Sequence, residues 1–249
     1  MEVIRNKYGM GFIMVQDINN TNNNIGIVVC IHGNEQYGLK VKEILNHKFN
    51  FIVGNLKAIE KNVRFIDKDL NRVFSGDEFG VNYEEKRAFE LVLDVDKFEK
   101  IIDLHSTSEF MPLTGIISEP FDKNKLNFVL SLGLDKLVLI PDFIDDGSVT
   151  LDKYHKCCVC IEIGSHNDKN IVGDVVNLLE NIDYSRKEYL GDVYEVFKVM
   201  SKLYNAISLI KNYDQIRKGD PIMKLDDGGI VYAEFDFYPI LACEKSYDG

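Results

Sequence analysis

The stretch Ile25–Glu35 decides the fold, and its sequence is Ile-Gly-Ile-Val-Val-Cys-Ile-His-Gly-Asn-Glu. It opens with a near-continuous apolar run, which predicts a β-strand that is buried on both faces. Helical spacing of apolar residues follows over Gln36–Leu45, so His32 and Glu35 lie at a strand-to-helix junction. In open α/β sheets, functional sites form at this carboxyl edge of the strands.

The same two patterns recur along the chain, and they predict an α/β fold. Residues 60–75 lack periodicity and are predicted to form a long loop, whereas Asn82 is predicted to begin a helix. We predict a mixed, mainly parallel central sheet with helices on both faces over residues 1–190. Short, turn-separated segments predict a small β-rich domain over residues 191–249. The other predicted elements are strands at Phe49–Val53, Lys100–Leu104 and Val159–Ile163, a hairpin within residues 1–16, and a helix at Ile171–Ile182.

Composition and charge limit the classes of partner. The chain has 249 residues and a formal net charge of −11 at pH 7. Nucleic acids and anionic membrane surfaces need a basic protein face, so we expect neither as a partner. No apolar run approaches the roughly 18 residues that a membrane span needs. Without a recognisable secretory leader, and with an odd number of cysteines, the sequence predicts free thiols and a cytoplasmic location.

Two histidines and one glutamate form a candidate metal site, namely His32, Glu35 and His105. His105 follows the predicted strand Lys100–Leu104, just as His32 follows the first buried strand. Zinc accepts imidazole nitrogen and carboxylate oxygen, and three such ligands leave a fourth position for water. The competing interpretation of the His-x-x-Glu spacing alone is an incidental histidine beside a glutamate at a helix start.

Asp103 is the candidate for orienting one of the metal ligands. It lies two residues before His105, so on a strand the two side chains point to the same side. A carboxylate there can accept the second ring N–H of a ligand histidine, which raises the basicity of the ring. We expect His32 to be that histidine, and the alternative is an aspartate on the surface of a strand.

Glu162 is the candidate general base. It lies in the segment Cys-Ile-Glu-Ile-Gly, residues 160–164, and a carboxylate within an apolar strand is costly unless it is paired or used. As a base, it would take a proton from metal-activated water and return it to a departing amine. The alternative is a glutamate on the solvated face of an edge strand.

Polar side chains in the predicted loop suit an anionic substrate. Arg64 and the pair Asn71-Arg72 lie close together in the sequence. Arginine can hold a carboxylate through two parallel hydrogen bonds. Any one of these arginines alone would be expected to be a solvated charge, but their clustering beside a candidate metal site favours binding.

The cysteine cluster and the remaining histidines are predicted to have no part in the site. Adjacent strand residues face opposite sides, so the cluster Cys157, Cys158 and Cys160 is expected to be buried thiols rather than metal ligands. His47, His155 and His166 are expected to be structural or surface residues.

The motifs resemble those of the succinylglutamate desuccinylase/aspartoacylase family of zinc-carboxypeptidase-like enzymes. His-Gly-Asn-Glu at 32–35, the segment Arg64–Arg72, Asp-Leu-His at 103–105 and Ile-Glu-Ile-Gly at 161–164 occur in the family's order and approximate spacing. The resemblance covers most of the chain. It implies a three-layer zinc-carboxypeptidase-like fold and zinc-dependent hydrolysis of the amide bond of a small anionic N-acyl amino acid.

The resemblance also implies roles for individual residues. The zinc ligands, for one ion per chain, would be His32, Glu35 and His105. Glu162 would be the general base, and Arg64 would stabilise the oxyanion. The side chains that would bind the substrate are Asn71, Arg72 and Tyr247.

Two positions depart from the aspartoacylase pattern. Ser148 and Asp152 stand where aspartoacylases carry a Tyr and an Arg, and that Arg grips the side-chain carboxylate of the substrate. The departure argues against N-acetylaspartate as substrate, and we expect Asp152 to repel a second carboxylate.

Two other functions remain as alternatives to the hydrolysis of N-acyl amino acids. They are a zinc carboxypeptidase acting on short peptides and a non-catalytic zinc-binding protein, although the presence of Glu162 argues against the latter. The sequence leaves the acyl group, the amino acid and assembly into a homo-oligomer open.

Overall fold

The computed structural model describes residues 3–5, 11–13, 24–144, 147–200 and 206–242. The strands are Val3–Arg5 (β1), Gly11–Ile13 (β2), Ile25–Val29 (β3), Asn50–Val53 (β4), Lys100–Thr107 (β5), Thr114–Ser118 (β6), Lys136–Ile140 (β7), Cys158–Gly164 (β8), Asp192–Glu195 (β9), Ile207–Ser208 (β10), Pro221–Lys224 (β11) and Ile230–Tyr232 (β12). The helices are Tyr37–Leu45 (α1), Leu56–Lys61 (α2), Tyr83–Val95 (α3), Lys123–Leu132 (α4), Leu151–Tyr154 (α5) and Ile171–Glu180 (α6).

The core of the fold is a seven-stranded sheet in the order β4-β3-β5-β8-β6-β7-β9. Every neighbouring pair in this sheet is parallel except β6 and β8, which are antiparallel. Helices α1, α4 and α6 pack on one face, and α3 packs on the other. The structure confirms the predicted α/β fold with a mixed, mainly parallel sheet and helices on both faces. None of the described helices is long and apolar enough to cross a membrane.

The C-terminal segments form a separate small antiparallel sheet in the order β10-β11-β12. Ile216, Ile222 and Ala233 form its small buried core. The predicted β-rich character of this region is therefore confirmed. The strand Asp192–Glu195, however, pairs with β7 and so extends the large sheet beyond residue 190. The division into domains over residues 1–190 and 191–249 stays a prediction.

The predicted loop over residues 60–75 contains more structure than its sequence pattern indicates. Helix α2 ends within it, at Lys61, and a single 3₁₀ turn spans Leu70–Arg72. The carboxylate of Glu84 organises the intervening segment. Its two oxygens accept hydrogen bonds from the backbone N–H groups of Ile66 at 2.7 Å and of Asp67 at 3.0 Å. One buried side chain on α3 thus fixes a segment that has no periodic pattern of its own.

Candidate metal and catalytic site

The candidate site lies at the carboxyl edge of β3, β5 and β8. His32 and Glu35 follow β3 in a short turn that leads into α1, and His105 lies near the end of β5. Gly33 is required between the first two, because a Cβ atom there would lie 2.1 Å from the carbonyl carbon of Ala58. Its N–H donates to the backbone oxygen of Arg64 at 3.1 Å, which joins this turn to the loop that carries the arginines.

The three candidate metal ligands converge. One ligand atom from each of His32, Glu35 and His105 lies within 4.8 Å of the other two, and all three residues are buried. Nδ1 of His32 lies 2.8 Å from one carboxylate oxygen of Glu35, and Nδ1 of His105 lies 3.2 Å from the other. Two imidazole nitrogens and a carboxylate oxygen that converge in this way fit the donor preference of zinc.

Each of the two histidine rings has a carboxylate behind it. Nε2 of His105 lies 2.8 Å from Oδ2 of Asp103, and Nε2 of His32 lies 3.1 Å from Oδ1 of Asp69. Nδ1 of each ring faces the shared centre, so a metal ion held there would leave the ring proton on Nε2, where Asp103 or Asp69 accepts it. The expectation that Asp103 serves His32 is wrong, because Asp103 and its true partner share one side of β5. Asp69, which serves His32, was not assigned from the sequence.

The charges in this cluster stabilise one another. Burial opposes ionisation of Glu35, but the rings of His32 and His105 lower its pKa below the ordinary range. Burial likewise opposes the charge on His105, but Asp103 and Glu35 raise the pKa of its ring. At neutral pH, the carboxylate of Glu35 is therefore ionised and available as a metal ligand.

Asp69 connects the histidine cluster to the arginine-bearing loop. Its Oδ2 accepts hydrogen bonds from Nε of Arg64 at 3.1 Å and from Nη2 at 2.8 Å. Its Oδ1 accepts from the backbone N–H of Asn71 at 2.9 Å, which caps the 3₁₀ turn. Burial opposes its charge, but the hydrogen bond with His32, together with Arg64, holds the pKa of Asp69 below its usual range.

The structure brings Arg64 to the edge of the candidate metal site, and Asn71 and Arg72 lie in the neighbouring 3₁₀ turn. Nη1 of Arg64 lies 3.9 Å from Oε1 of Glu35. Oδ1 of Asn71 accepts a hydrogen bond from the backbone N–H of Leu151 at 2.9 Å. Nη1 of Arg72 donates to the backbone oxygen of Asn71 at 2.8 Å. The side chain of Asn71 therefore joins the loop to α5, and its amide NH₂ group remains the part that can donate to a ligand.

Glu162 lies beside the candidate metal ligands, on the next strand of the sheet. Its register partner across the parallel β5–β8 pair is His105, so the two side chains share one face of the sheet. Neighbouring strands lie about 4.8 Å apart, which places the half-buried Glu162 within one strand of a candidate metal ligand. Its charge contributes, after burial and Glu35, to a raised pKa of the buried Tyr37.

Asp152, one of the two departures from the aspartoacylase pattern, has a structural role. It is buried, and its Oδ2 accepts from the backbone N–H of Ser118 at 2.9 Å. Its Oδ1 accepts from the hydroxyl of Thr150 at 2.6 Å. Both oxygens thus bind groups within the fold, and repulsion of a second carboxylate by Asp152 stays a prediction.

The remaining sequence expectations have mixed outcomes. Tyr247 lies outside the described residues. His166 has a structural contact, because its Nδ1 lies 2.7 Å from the hydroxyl of Ser106. The backbone N–H of Ser106 in turn donates to Glu35. The described cysteines are free and buried, as expected, and burial raises the pKa of Cys30 to about 12.

Comparisons with known proteins identify the relatives of this chain. The family profile described as "Succinylglutamate desuccinylase/Aspartoacylase catalytic domain" matches residues 22–172. An aspartoacylase from Xenopus tropicalis is 26% identical over 87% of this chain and 86% of its own length. An N-acyl-aromatic-L-amino acid amidohydrolase (carboxylate-forming) from Xenopus laevis is 24% identical over 89% of each chain.

Solved structures show the same fold. Murine aminoacylase 3 superimposes with a TM-score of 0.72 at 20% identity, covering 93% of each chain. A succinylglutamate desuccinylase from a Silicibacter species superimposes with a TM-score of 0.63 at 14% identity, covering 88% of this chain and 80% of its own. With the profile matching more than half of its residues, the chain belongs to the succinylglutamate desuccinylase/aspartoacylase family.

Proposed function

We propose that the protein is a zinc-dependent amidohydrolase that cleaves an N-acyl amino acid into a carboxylate and a free amino acid. The observation that carries the proposal is the convergence of His32, Glu35 and His105 beside Glu162 on the next strand. Relatives named as aspartoacylases and N-acyl-aromatic amino acid amidohydrolases support the class of substrate.

His32, Glu35 and His105 would hold the zinc ion, and the carboxylates behind the two rings would keep the rings oriented. When bound, zinc supplies a Lewis acid that activates water and polarises the amide carbonyl of the substrate. The buried group fits a divalent cation, because it combines one ionised carboxylate with two imidazoles that can bind a metal in their neutral form.

Glu162 acts as the proton shuttle in this proposal. Its carboxylate removes a proton from the water as the water oxygen bonds to the amide carbon. It then delivers that proton to the amide nitrogen, so that the C–N bond breaks and the amine leaves. The position of Glu162 beside His105 supports this role, because its carboxylate and the proposed metal ligand then lie on one face of the sheet.

Arg64, Asn71 and Arg72 bind the anionic parts of the substrate. Arg64 is oriented by two hydrogen bonds to Asp69 and would stabilise the negative charge that develops on the carbonyl oxygen. Asn71 and Arg72 lie together in one turn and would clamp the free carboxylate of the amino acid, which positions the amide for attack.

The substrate that we propose carries a single carboxylate on its amino acid portion. Ser148 and Asp152 occupy the positions of the Tyr and Arg of aspartoacylases, and Asp152 is bound within the fold. We therefore propose an N-acyl amino acid other than N-acetylaspartate. We also propose that residues 191–249 narrow the entrance of the site and exclude peptides, that Tyr247 contacts the substrate, and that the reaction is cytoplasmic.

The test is hydrolysis of a panel of N-acyl amino acids by the zinc-loaded protein. The panel combines acetyl, succinyl and formyl groups with acidic, neutral and aromatic amino acids, and it includes short peptides. We expect turnover of one class of N-acyl amino acid, and its loss in Glu162→Gln with zinc still bound. Turnover of peptides alone would favour a carboxypeptidase. No turnover across the panel with zinc bound would favour a non-catalytic zinc-binding protein.

A further inference from the structure

A row of polar side chains crosses one face of the large sheet, beginning at the candidate metal site. The register pairs His105 on β5 with Glu162 on β8, and Glu162 with Thr114 on β6. Thr114 pairs with Lys136 on β7, which pairs with Asp192 on β9. Residues paired in register share a face of the sheet, so Glu162 lies between a metal ligand and Thr114.

Tyr213, from the C-terminal segment, binds the residue next to Glu162 in this row. Its hydroxyl oxygen lies 2.9 Å from Oγ1 of the fully buried Thr114. Oγ1 of Thr114 also donates its single proton to the backbone oxygen of Pro112 at 2.7 Å. The hydrogen bond between the two hydroxyls must therefore run from Tyr213 to Thr114. Burial keeps the pKa of Tyr213 above its ordinary value, so the phenol carries the proton that it donates.

The backbone around Tyr213 is shaped for this contact. Tyr213 has a φ of +65°, a left-handed conformation that is uncommon for a bulky residue and that is kept where surrounding contacts fix it. Its N–H donates to the backbone oxygen of Pro239 at 2.8 Å. The preceding Asn212 donates from Nδ2 to the backbone oxygen of Phe110 at 3.1 Å. The turn is thus held both within the C-terminal region and against the segment that leads into β6.

The ring of Tyr213 is clamped as firmly as its hydroxyl. Nζ of Lys136 lies 4.6 Å from the centre of the ring, and the same Nζ lies 3.2 Å from Oδ2 of Asp192. The ring of Tyr194 packs against it with a centroid separation of 4.9 Å. A cation over the ring and an aromatic neighbour leave the phenol little freedom to rotate away from Thr114.

We propose that Tyr213 is a positioning residue for Glu162, acting through Thr114. It holds Thr114 in place on the side of Glu162 that faces away from His105, so that Glu162 lies between two restrained neighbours on its face of the sheet. The catalytic meaning of this role rests on the proposed function, whereas the restraint on Glu162 does not. The C-terminal region would then supply part of the active site, in addition to any effect on its entrance.

The first test replaces Tyr213 by Phe, which keeps the ring and removes the donated hydrogen bond. We expect kcat to fall about 10-fold with KM within about twofold, because small misplacements of a reacting group reduce the rate strongly while substrate binding is retained. The matched control is Tyr238→Phe, which removes a hydroxyl from the same aromatic cluster, where Tyr238 packs on Tyr194. We expect wild-type kinetics for the control.

A second variant tests the clamp on the ring. Lys136→Met keeps the length of the side chain and removes the cation, so we expect a smaller loss of kcat. In the Tyr213→Phe background, the same change should have a clearly smaller effect, because the two residues act through one hydrogen bond. Fully independent effects in the double variant would overturn the role of Lys136 as the clamp.

Amide NMR of the zinc-loaded protein reads the restraint on Glu162 without any turnover. We expect Tyr213→Phe to shift and broaden the resonances of both Thr114 and Glu162, and Tyr238→Phe to leave them unchanged. An unchanged Glu162 resonance, or a lower melting temperature with unaltered kcat, would overturn the inference and leave a structural tyrosine. If the wild type were inactive on the whole panel but Glu162 still moved in Tyr213→Phe, the proposed function would fail and the restraint on Glu162 would stand.

Discussion

At the scale of single residues, the candidate site depends on two carboxylates that contact the rings of His105 and His32. Asp103 and Asp69 each accept the Nε2 proton of one histidine ring, at 2.8 and 3.1 Å. Asp69 does more, because it also binds Arg64 and caps the turn that carries Asn71. One carboxylate therefore sets the orientation of a metal ligand and of the groups proposed to bind the substrate.

This difference between the two aspartates predicts different phenotypes. Asp69→Asn and Asp103→Asn should each weaken zinc binding about 10- to 100-fold, as is typical when the partner of a ligand histidine is changed. Only Asp69→Asn should also raise KM, because it alone loosens Arg64 and the turn at Asn71. Zinc affinity from chelator competition and KM from initial rates measure the two effects separately. Equal KM values in the two variants would contradict the organising role of Asp69.

The sequence predicted the convergence of the candidate ligands better than the partners of their rings. His32 and Glu35 follow a strongly patterned strand and His105 lies near the end of another, so the strand order brings them to one edge of the sheet. The pairing of Asp103 with His105 was missed in favour of His32, although the spacing of two already placed them on one side of a strand. Asp69 lies within the segment Arg64–Arg72, but no spacing rule indicates that its carboxylate meets the ring of His32.

At the scale of elements, hydrogen bonds at the N-terminus of α3 connect this helix to the loop that contains Arg64 and Arg72. Helix α3, which carries Glu84, begins after Asn82, whose N–H donates to Glu85 at 3.1 Å. The hydrogen bond from Lys68, together with those from Asn82, lowers the pKa of Glu85 to about 2. The ionised carboxylate thus stabilises the start of the helix and ties it to the loop before it.

The lowered pKa predicts a pH dependence of stability. Because the folded-state pKa lies below the unfolded value of 4.5, Glu85 stabilises the fold above pH 4.5 and loses this contribution as the pH falls towards 2. Glu85→Gln should therefore lower the free energy of unfolding at pH 7, and the difference should shrink to less than half at pH 3, roughly as the two pKa values require. Urea unfolding of both proteins at the two pH values tests this, and a pH-independent difference would contradict it.

The parts of the fold that the sequence did not predict depend on tertiary packing rather than on a local pattern. Helix α4 has no amphipathic pattern because the eight residues from Lys125 to Leu132 are all buried, including polar Lys125, Asn127 and Ser131. The strand Asp192–Glu195 lies in a region of expected β character, but its place in the large sheet is recognised only through its pairing with β7. By contrast, the apolar runs of β3, β5 and β8 are enough to predict strands that are buried on both faces.

At the scale of the whole molecule, the candidate site is assembled from segments far apart in the chain. The N-terminal half contributes the proposed metal ligands and arginines, β8 contributes Glu162, and the C-terminal region reaches the row beside it through Tyr213. The sequence indicated the β-rich character of that last region but not its contact with β6, because the contact depends on one turn and on tertiary register.

The central claim is that hydrolysis depends on one zinc ion held by His32, Glu35 and His105. The most direct measurement is the rate of hydrolysis of the best panel substrate as the chelator-treated protein is titrated with zinc. No side chain at the site can replace zinc in activating water and polarising the carbonyl, so we predict that chelation abolishes activity. Activity should then recover linearly with added zinc and stop rising at one equivalent per chain. Full activity in the metal-free protein, or recovery that does not saturate near one equivalent, would contradict the account.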